Sequence, residues 1–206
     1  ANTTPLWISC CLNNTSVLRE LFSSKKLEPD PKILFLFEKQ KENVQMIIKE
    51  TDYDPLWTAC LNNDLEKVKS LLSSDSCDVN VKGYANTTPL WISCCLNNIQ
   101  IIKEILSSNK VDVNLADSDG KTPLFIAFER NYTEIVKLLL EDNRTITNKE
   151  DLERYLFLSV RNFEMIKSIL ISKKININLT FDSEEKTLLI IAIKNENDEI
   201  IKILLE

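Results

Sequence analysis

Apolar positions along this chain fall into paired segments that recur. A first segment reads DPLWTACLNN from Asp54 to Asn63, TPLFIAFERN from Thr122 to Asn131 and TLLIIAIKN from Thr187 to Asn195. A second segment recurs five times along the chain: VLRELF, LEKVKSLL, IQIIKEIL, EIVKLLL and EIIKILL. Within IQIIKEIL, Ile101, Ile102, Ile105 and Leu106 stand at i, i+1, i+4 and i+5, which makes one apolar stripe on a helix. Helices of about ten residues are too short to be stable alone, so they must stack on neighbours.

Residues 1–14 read ANTTPLWISCCLNN, and residues 85–98 repeat all fourteen at an offset of 84. Pro55, Pro89 and Pro123 are evenly spaced, by 34 and 34. A short hinge appears twice, as CDVN at 77–80 and VDVN at 111–114. Each unit therefore reads as helix, tight turn, helix and extended loop. Thr88 can cap a helix with its hydroxyl, and Pro89 then takes the first helical position, where no amide donor is needed. Asn97 and Asn98 are expected to end that helix, because Asn tolerates the left-handed conformation a C-cap wants.

These features resemble the ankyrin repeat, whose period is about 33 residues and whose first helix opens with T-P-L-H-x-A. Thr122, Pro123, Leu124 and Ala127 match that opening directly. Asp117 and Gly120 resemble the family's D-x-x-G finger, and Asp112, Val113 and Asn114 its D-V-N entry. The resemblance is clearest over 54–142. It implies an all-α solenoid of helix-turn-helix units with short β-hairpin-like finger loops. The chain then reads as a single array of about seven units: 1–30, 31–53, 54–86, 87–120, 121–150, 151–185 and 186–206. Two look shortened, near 31–51 and 150–172, and are expected to be the weak joints of the stack. Because the chain opens inside a motif and closes inside a helix pattern, it is expected to be a fragment of a longer protein.

There are departures from the family pattern. Its histidine position holds Trp7, Trp57, Trp91, Phe125 and Ile190. The histidine's hydrogen bond to the backbone is expected to be lost, with an aromatic wedge in its place. Asn stands where Gly usually ends the first helix. The regular spacing of the tryptophans marks them as core rather than as stacking platforms.

Composition narrows the function classes. The net charge is −6 with no basic block, unlike the concentrated basic face of a nucleic-acid binder. No apolar run approaches the roughly 20 residues of a membrane helix. The chain has no histidine and only two glycines, Gly83 and Gly120. Cys/His zinc sites and a glycine-rich phosphate cradle are thereby excluded. No nucleophile, dinucleotide or metalloprotease motif occurs, so no catalysis, cofactor or metal is expected. Cys10, Cys11, Cys60, Cys77, Cys94 and Cys95 follow no zinc spacing and are expected to be free thiols in a reducing compartment. Sequons at Asn2, Asn13, Asn14, Asn86, Asn131, Asn143 and Asn178 are expected to be unmodified, the chain being read as cytoplasmic or nuclear and not secreted.

The resemblance implies recognition of a partner protein on the concave face formed by fingers and first helices. Carried over position by position, the contact residues are Tyr84, Ala85, Thr87, Cys95, Leu96, Ser118, Asp119, Lys121, Glu129 and Arg130. Tyr84 and Arg130 are expected to contribute most. The array is expected to be monomeric. The alternative is a regulatory or spacer segment of a larger enzyme, channel or ubiquitin-ligase adaptor whose chemistry lies outside these residues.

Overall fold

The computed structural model describes residues 53–147, 151, 155, 162–171, 188–194 and 198–205. The shortened unit near 31–51 and the first fourteen-residue copy lie outside them. The described residues hold α-helices and turns and no strand. The helices are α1 (Pro55–Leu61), α2 (Leu65–Leu72), α3 (Pro89–Cys95), α4 (Ile99–Ser107), α5 (Pro123–Glu129), α6 (Thr133–Glu141), α7 (Phe163–Ile171), α8 (Leu188–Lys194) and α9 (Asp198–Leu205). They divide between two compact units, Ala1–Pro123 and Leu124–Glu206.

In the first unit α1 packs on α2 and α3 packs on α4, while α1 also packs on α3 and α2 on α4. First helix thus stacks on first helix and second on second. In the second unit α7 packs on α6 and on α9, and α8 packs on α9. Leu56, Trp57, Cys60 and Leu61 of α1 are buried, as are all seven residues of α3. The stripe expected in the second helix is present, with Ile101, Ile102 and Ile105 at the core of α4 and Leu106 half-buried. In the second unit Phe128 stacks on Tyr155 with ring centroids 4.3 Å apart.

The helix ends follow from local chemistry. Thr88 Oγ1 accepts from the Trp91 amide at 3.2 Å, and Asp54 Oδ1 accepts from the Leu56 amide at 2.7 Å. Each capping residue precedes a proline in the first helical turn, as expected. At the other end the expectation needs correcting. Asn97 takes the left-handed conformation at φ 57°, but Asn98 is already the N-cap position of α4. The Asn98 amide donates to Ser93 O at 2.9 Å and the Asn97 amide to Cys94 O at 3.2 Å. This is the paired 6→1 and 5→2 closure of a Schellman motif.

Asn63 and Asn131 take the same conformation at φ 56° and 59°, one repeat before and one repeat after Asn97. Their spacing is that of Pro55, Pro89 and Pro123. The string LNN therefore sits one position earlier at 61–63 than at 96–98. The frame is set by the left-handed asparagine, not by the string.

Candidate functional site

The loops between units are turns closed by short backbone hydrogen bonds. In the first, the Gly83 amide donates to Thr87 O at 2.9 Å and the Thr87 amide to Tyr84 O at 3.1 Å. In the second, the Asp117 amide donates to Lys121 O at 3.0 Å and the Gly120 amide to Asp117 O at 3.1 Å. The outer closure is the same in both, one repeat apart, while the inner bond spans 84–87 in the first finger and 117–120 in the second. The Ser118 amide donates to Ala85 O at 2.9 Å, so one finger rests on the next.

Tryptophan side chains lock each finger to the helix before it. Trp57 Nε1–H donates to Thr87 Oγ1 at 3.0 Å, and Trp91 Nε1–H donates to Lys121 O at 3.0 Å. Both tryptophans are fully buried, as their spacing implied. The expected loss of the hydrogen bond to the backbone is wrong for Trp91; Trp57 makes its bond to a side-chain hydroxyl instead. The indole reaches the following finger because its N–H sits at the far edge of a larger ring. The acceptors, Thr87 and Lys121, occupy matching positions in consecutive fingers. Thr87 Oγ1 in turn donates to Tyr84 O at 2.7 Å, closing a small buried network.

The hinge adds a second lock. Asp78 Oδ1 accepts from the Asn80 amide at 2.9 Å, and Asp112 Oδ1 accepts from the Asn114 amide at 3.0 Å. The Asn80 side chain bridges to the next unit: Nδ2 donates to Lys110 O at 2.9 Å and Oδ1 accepts from the Asp112 amide at 2.8 Å. One carboxamide thus serves as a peptide-like rung between consecutive hinges.

Four of the ten residues expected at a contact surface lie inside the protein. Tyr84, Ala85, Thr87 and Cys95 are at most 7% exposed. Tyr84 meets Tyr53 edge-on at 6.5 Å between ring centroids, which turns it inward from the finger. Ala85 is buried with φ at 55°. Thr87 is held by its two hydrogen bonds, and Cys95 is buried with the rest of α3. The fourteen-residue copy at 85–98 is in fact buried almost throughout, so what was duplicated is packing frame. The remaining six stand at least partly open to solvent: Ser118, Asp119 and Glu129 are exposed, and Leu96, Lys121 and Arg130 are half-buried. Leu96, Ser118, Asp119 and Lys121 belong to the first unit, Glu129 and Arg130 to the second. Lys82 and Asn86, exposed on the first finger, were missed, although their place beside the glycine and before TTPL could have marked them.

Cys60, Cys77 and Cys94 are not poised for thiol chemistry. Cys60, Cys77 and Cys94 are free thiols. Burial pushes the Cys60 thiol up to about 12, only partly offset by its hydrogen bond to Ser93. Burial also holds Cys94 well above the usual thiol range and raises Cys77. None is a thiolate at neutral pH, which a nucleophile or metal ligand must be. Asp117 is a framework group: its Oδ1 accepts from the Asp119 and Lys121 amides, each at 2.9 Å. Its Oδ2 is buried with no hydrogen-bond partner among the described residues, and desolvation raises its pKa. No group of three potential metal ligands and no helix long and apolar enough to cross a membrane occurs among the described residues.

No curated protein matches the chain. Residues 56–151 match the family model for ankyrin repeats, in three copies, and these are the residues that carry the stacked helices, the left-handed asparagines and the indole-locked fingers. That stretch is built of ankyrin repeats, an all-α repeat array.

Proposed function

We propose that the array binds a partner protein through the exposed tips of its fingers and the adjoining ends of its first helices. Ankyrin repeats are generally protein–protein interaction modules and are typically non-catalytic. The observation that carries the reading is a contrast within one repeated turn. Its outer closure and its indole lock recur from one repeat to the next, while the inner turn and the residues it exposes change in both identity and position. The first finger carries Lys82 and Asn86, the second Ser118 and Asp119. A fixed frame with changing tips positions side chains without spending free energy on ordering them at the moment of binding. The contact set on the first unit is Lys82, Asn86, Leu96, Ser118, Asp119 and Lys121; Glu129 and Arg130 are separate candidates on the second unit. The protein works as a cytoplasmic or nuclear adaptor or scaffold. In the second reading the array is a regulatory or spacer segment of a larger protein.

The test is capture of a partner from lysate followed by titration of that partner. Ser118→Ala with Asp119→Ala is expected to weaken binding by about 1 kcal/mol or more. Lys103→Ala, on the exposed face of α4, is expected to leave it unchanged. Stability should move by no more than about 0.5 kcal/mol in any of these surface variants. Loss of capture in Lys103→Ala with full capture in the finger variant would place the contact on the second helices and reject the reading.

A further inference from the structure

A cavity of about 280 Å³ opens beside the hinges, where α2 and α4 end. Its lining comes from residues within 72–79 and 104–110, all in the first unit. Pockets that hold a drug-sized ligand begin at about 300 Å³, so this volume suits one side-chain-sized group.

The lining is of two kinds. Leu72 and Val79 are apolar, Leu72 half-buried and Val79 buried, and together they offer packing for an aliphatic stem. The polar part is biased to negative charge. Asp75 and Glu104 line the cavity against one cation, Lys110. Lys110 is already engaged: its Nζ donates to Asp75 O at 3.2 Å and lies 3.8 Å from Asp75 Oδ1. Glu104 is half-buried, and its carboxylate has no hydrogen bond or ion pair among the described residues. α2 and α4 finish at Leu72 and Ser107, and both bring the partially negative carbonyl end of a helix to this place. The hinge thiol reports the same sign. Cys77, also in the lining, is raised by burial and then by the carboxylates of Asp54 and Asp78, with only Lys110 opposing.

We propose that this cavity is a binding site for an alkyl-guanidinium group, its stem against Leu72 and Val79 and its planar head on the Glu104 carboxylate. Guanidinium fits better than ammonium, because its fork meets both oxygens of a carboxylate and it is the more weakly hydrated of the two. An anion is disfavoured by both helix ends and both carboxylates. The arginine side chain of a protein and a free alkyl-guanidine share this chemistry. The site stands apart from the fingers, so the finger reading and this one are decided separately.

The experiment titrates the full chain with n-butylguanidinium and, in parallel, with n-butylurea, its neutral near-isostere. Amide shifts of nitrogen-15-labelled protein are read at residues 73–79 and 104–110. n-Butylguanidinium is expected to shift those amides saturably, and n-butylurea is expected to leave them in place. Glu104→Gln keeps the shape and removes the charge, and is expected to weaken binding roughly tenfold. The tripeptide acetyl-glycyl-arginyl-glycinamide separates the sources. Saturation by the tripeptide at the same amides assigns the site to a protein's arginine, and saturation by the free cation alone assigns it to a small molecule; both uphold the site. No saturable shift at these amides overturns the proposal, as does an equal response to n-butylurea. Unchanged affinity in Glu104→Gln overturns it too.

Discussion

The two glycines of this chain are needed for different reasons, and the difference is measurable. A Cβ on Gly83 would overlap the Trp57 indole, a buried ring that cannot move aside. Its φ is −96°, so the backbone conformation itself would tolerate any residue. Gly120 is the reverse: nothing lies within 4 Å of its Cβ position, but φ is +75°. Gly83→Ala is expected to destabilise by overpacking, about 1–3 kcal/mol. Gly120→Ala is expected to cost about 1–2 kcal/mol through the left-handed backbone alone. Chemical denaturation reads both. A neutral Gly83→Ala would mean that the finger does not sit on the indole as described. The family's D-x-x-G finger marked Gly120 in the sequence; only packing against the preceding unit shows why Gly83 is needed.

Asp117 makes a prediction with a sign. Desolvation raises its pKa in the folded protein, so the fold favours the protonated carboxyl. Its contribution to stability is therefore full below the ordinary carboxylate pKa and is lost as pH rises through the raised folded value. Asp117→Asn keeps an oxygen for the Asp119 and Lys121 amides and removes the titration. The variant is expected to gain on the wild type in denaturation midpoint as pH rises from below the carboxylate range to neutral. A difference between the two that does not change with pH would contradict the assignment.

At the scale of the element, the turn between helices was half legible. Asn was correctly read as a helix terminator in the left-handed conformation. Which of two adjacent asparagines does the work was not legible, because the helix can end one residue earlier or later with the same letters. The even spacing of Asn63, Asn97 and Asn131, all left-handed, decides it. Asn97→Ala is expected to cost about 1 kcal/mol, since an ordinary L-residue pays for that conformation. Asn97→Gly is expected to be neutral or mildly stabilising. Thermal unfolding separates them, and equal losses for both would show that the side chain rather than the backbone matters. The indole bonds were illegible for a related reason. The family resemblance located the aromatic side chain, but the acceptor lies one unit further along, where only the stacked structure brings it within 3.0 Å.

For the molecule as a whole, repeat period, helix pairing, capping and the buried tryptophans were all present in the pattern of residues. The candidate surface was less so. Periodicity reports which positions are equivalent, and the fourteen-residue copy drew attention to residues that the fold buries. Tyr84 is the clearest case: an aromatic beside a glycine looked like an exposed anchor, but it is buried and meets Tyr53, which itself packs on Trp57. In the proposed reading a partner touches the exposed residues that differ from one finger to the next. Hydrogen exchange on the array, alone and saturated with a captured partner, tests this most directly. The account predicts added protection at residues 82–87 and 116–122 with little change in α2 and α4. Protection confined to α2 and α4, with the fingers exchanging as in the free protein, would contradict it.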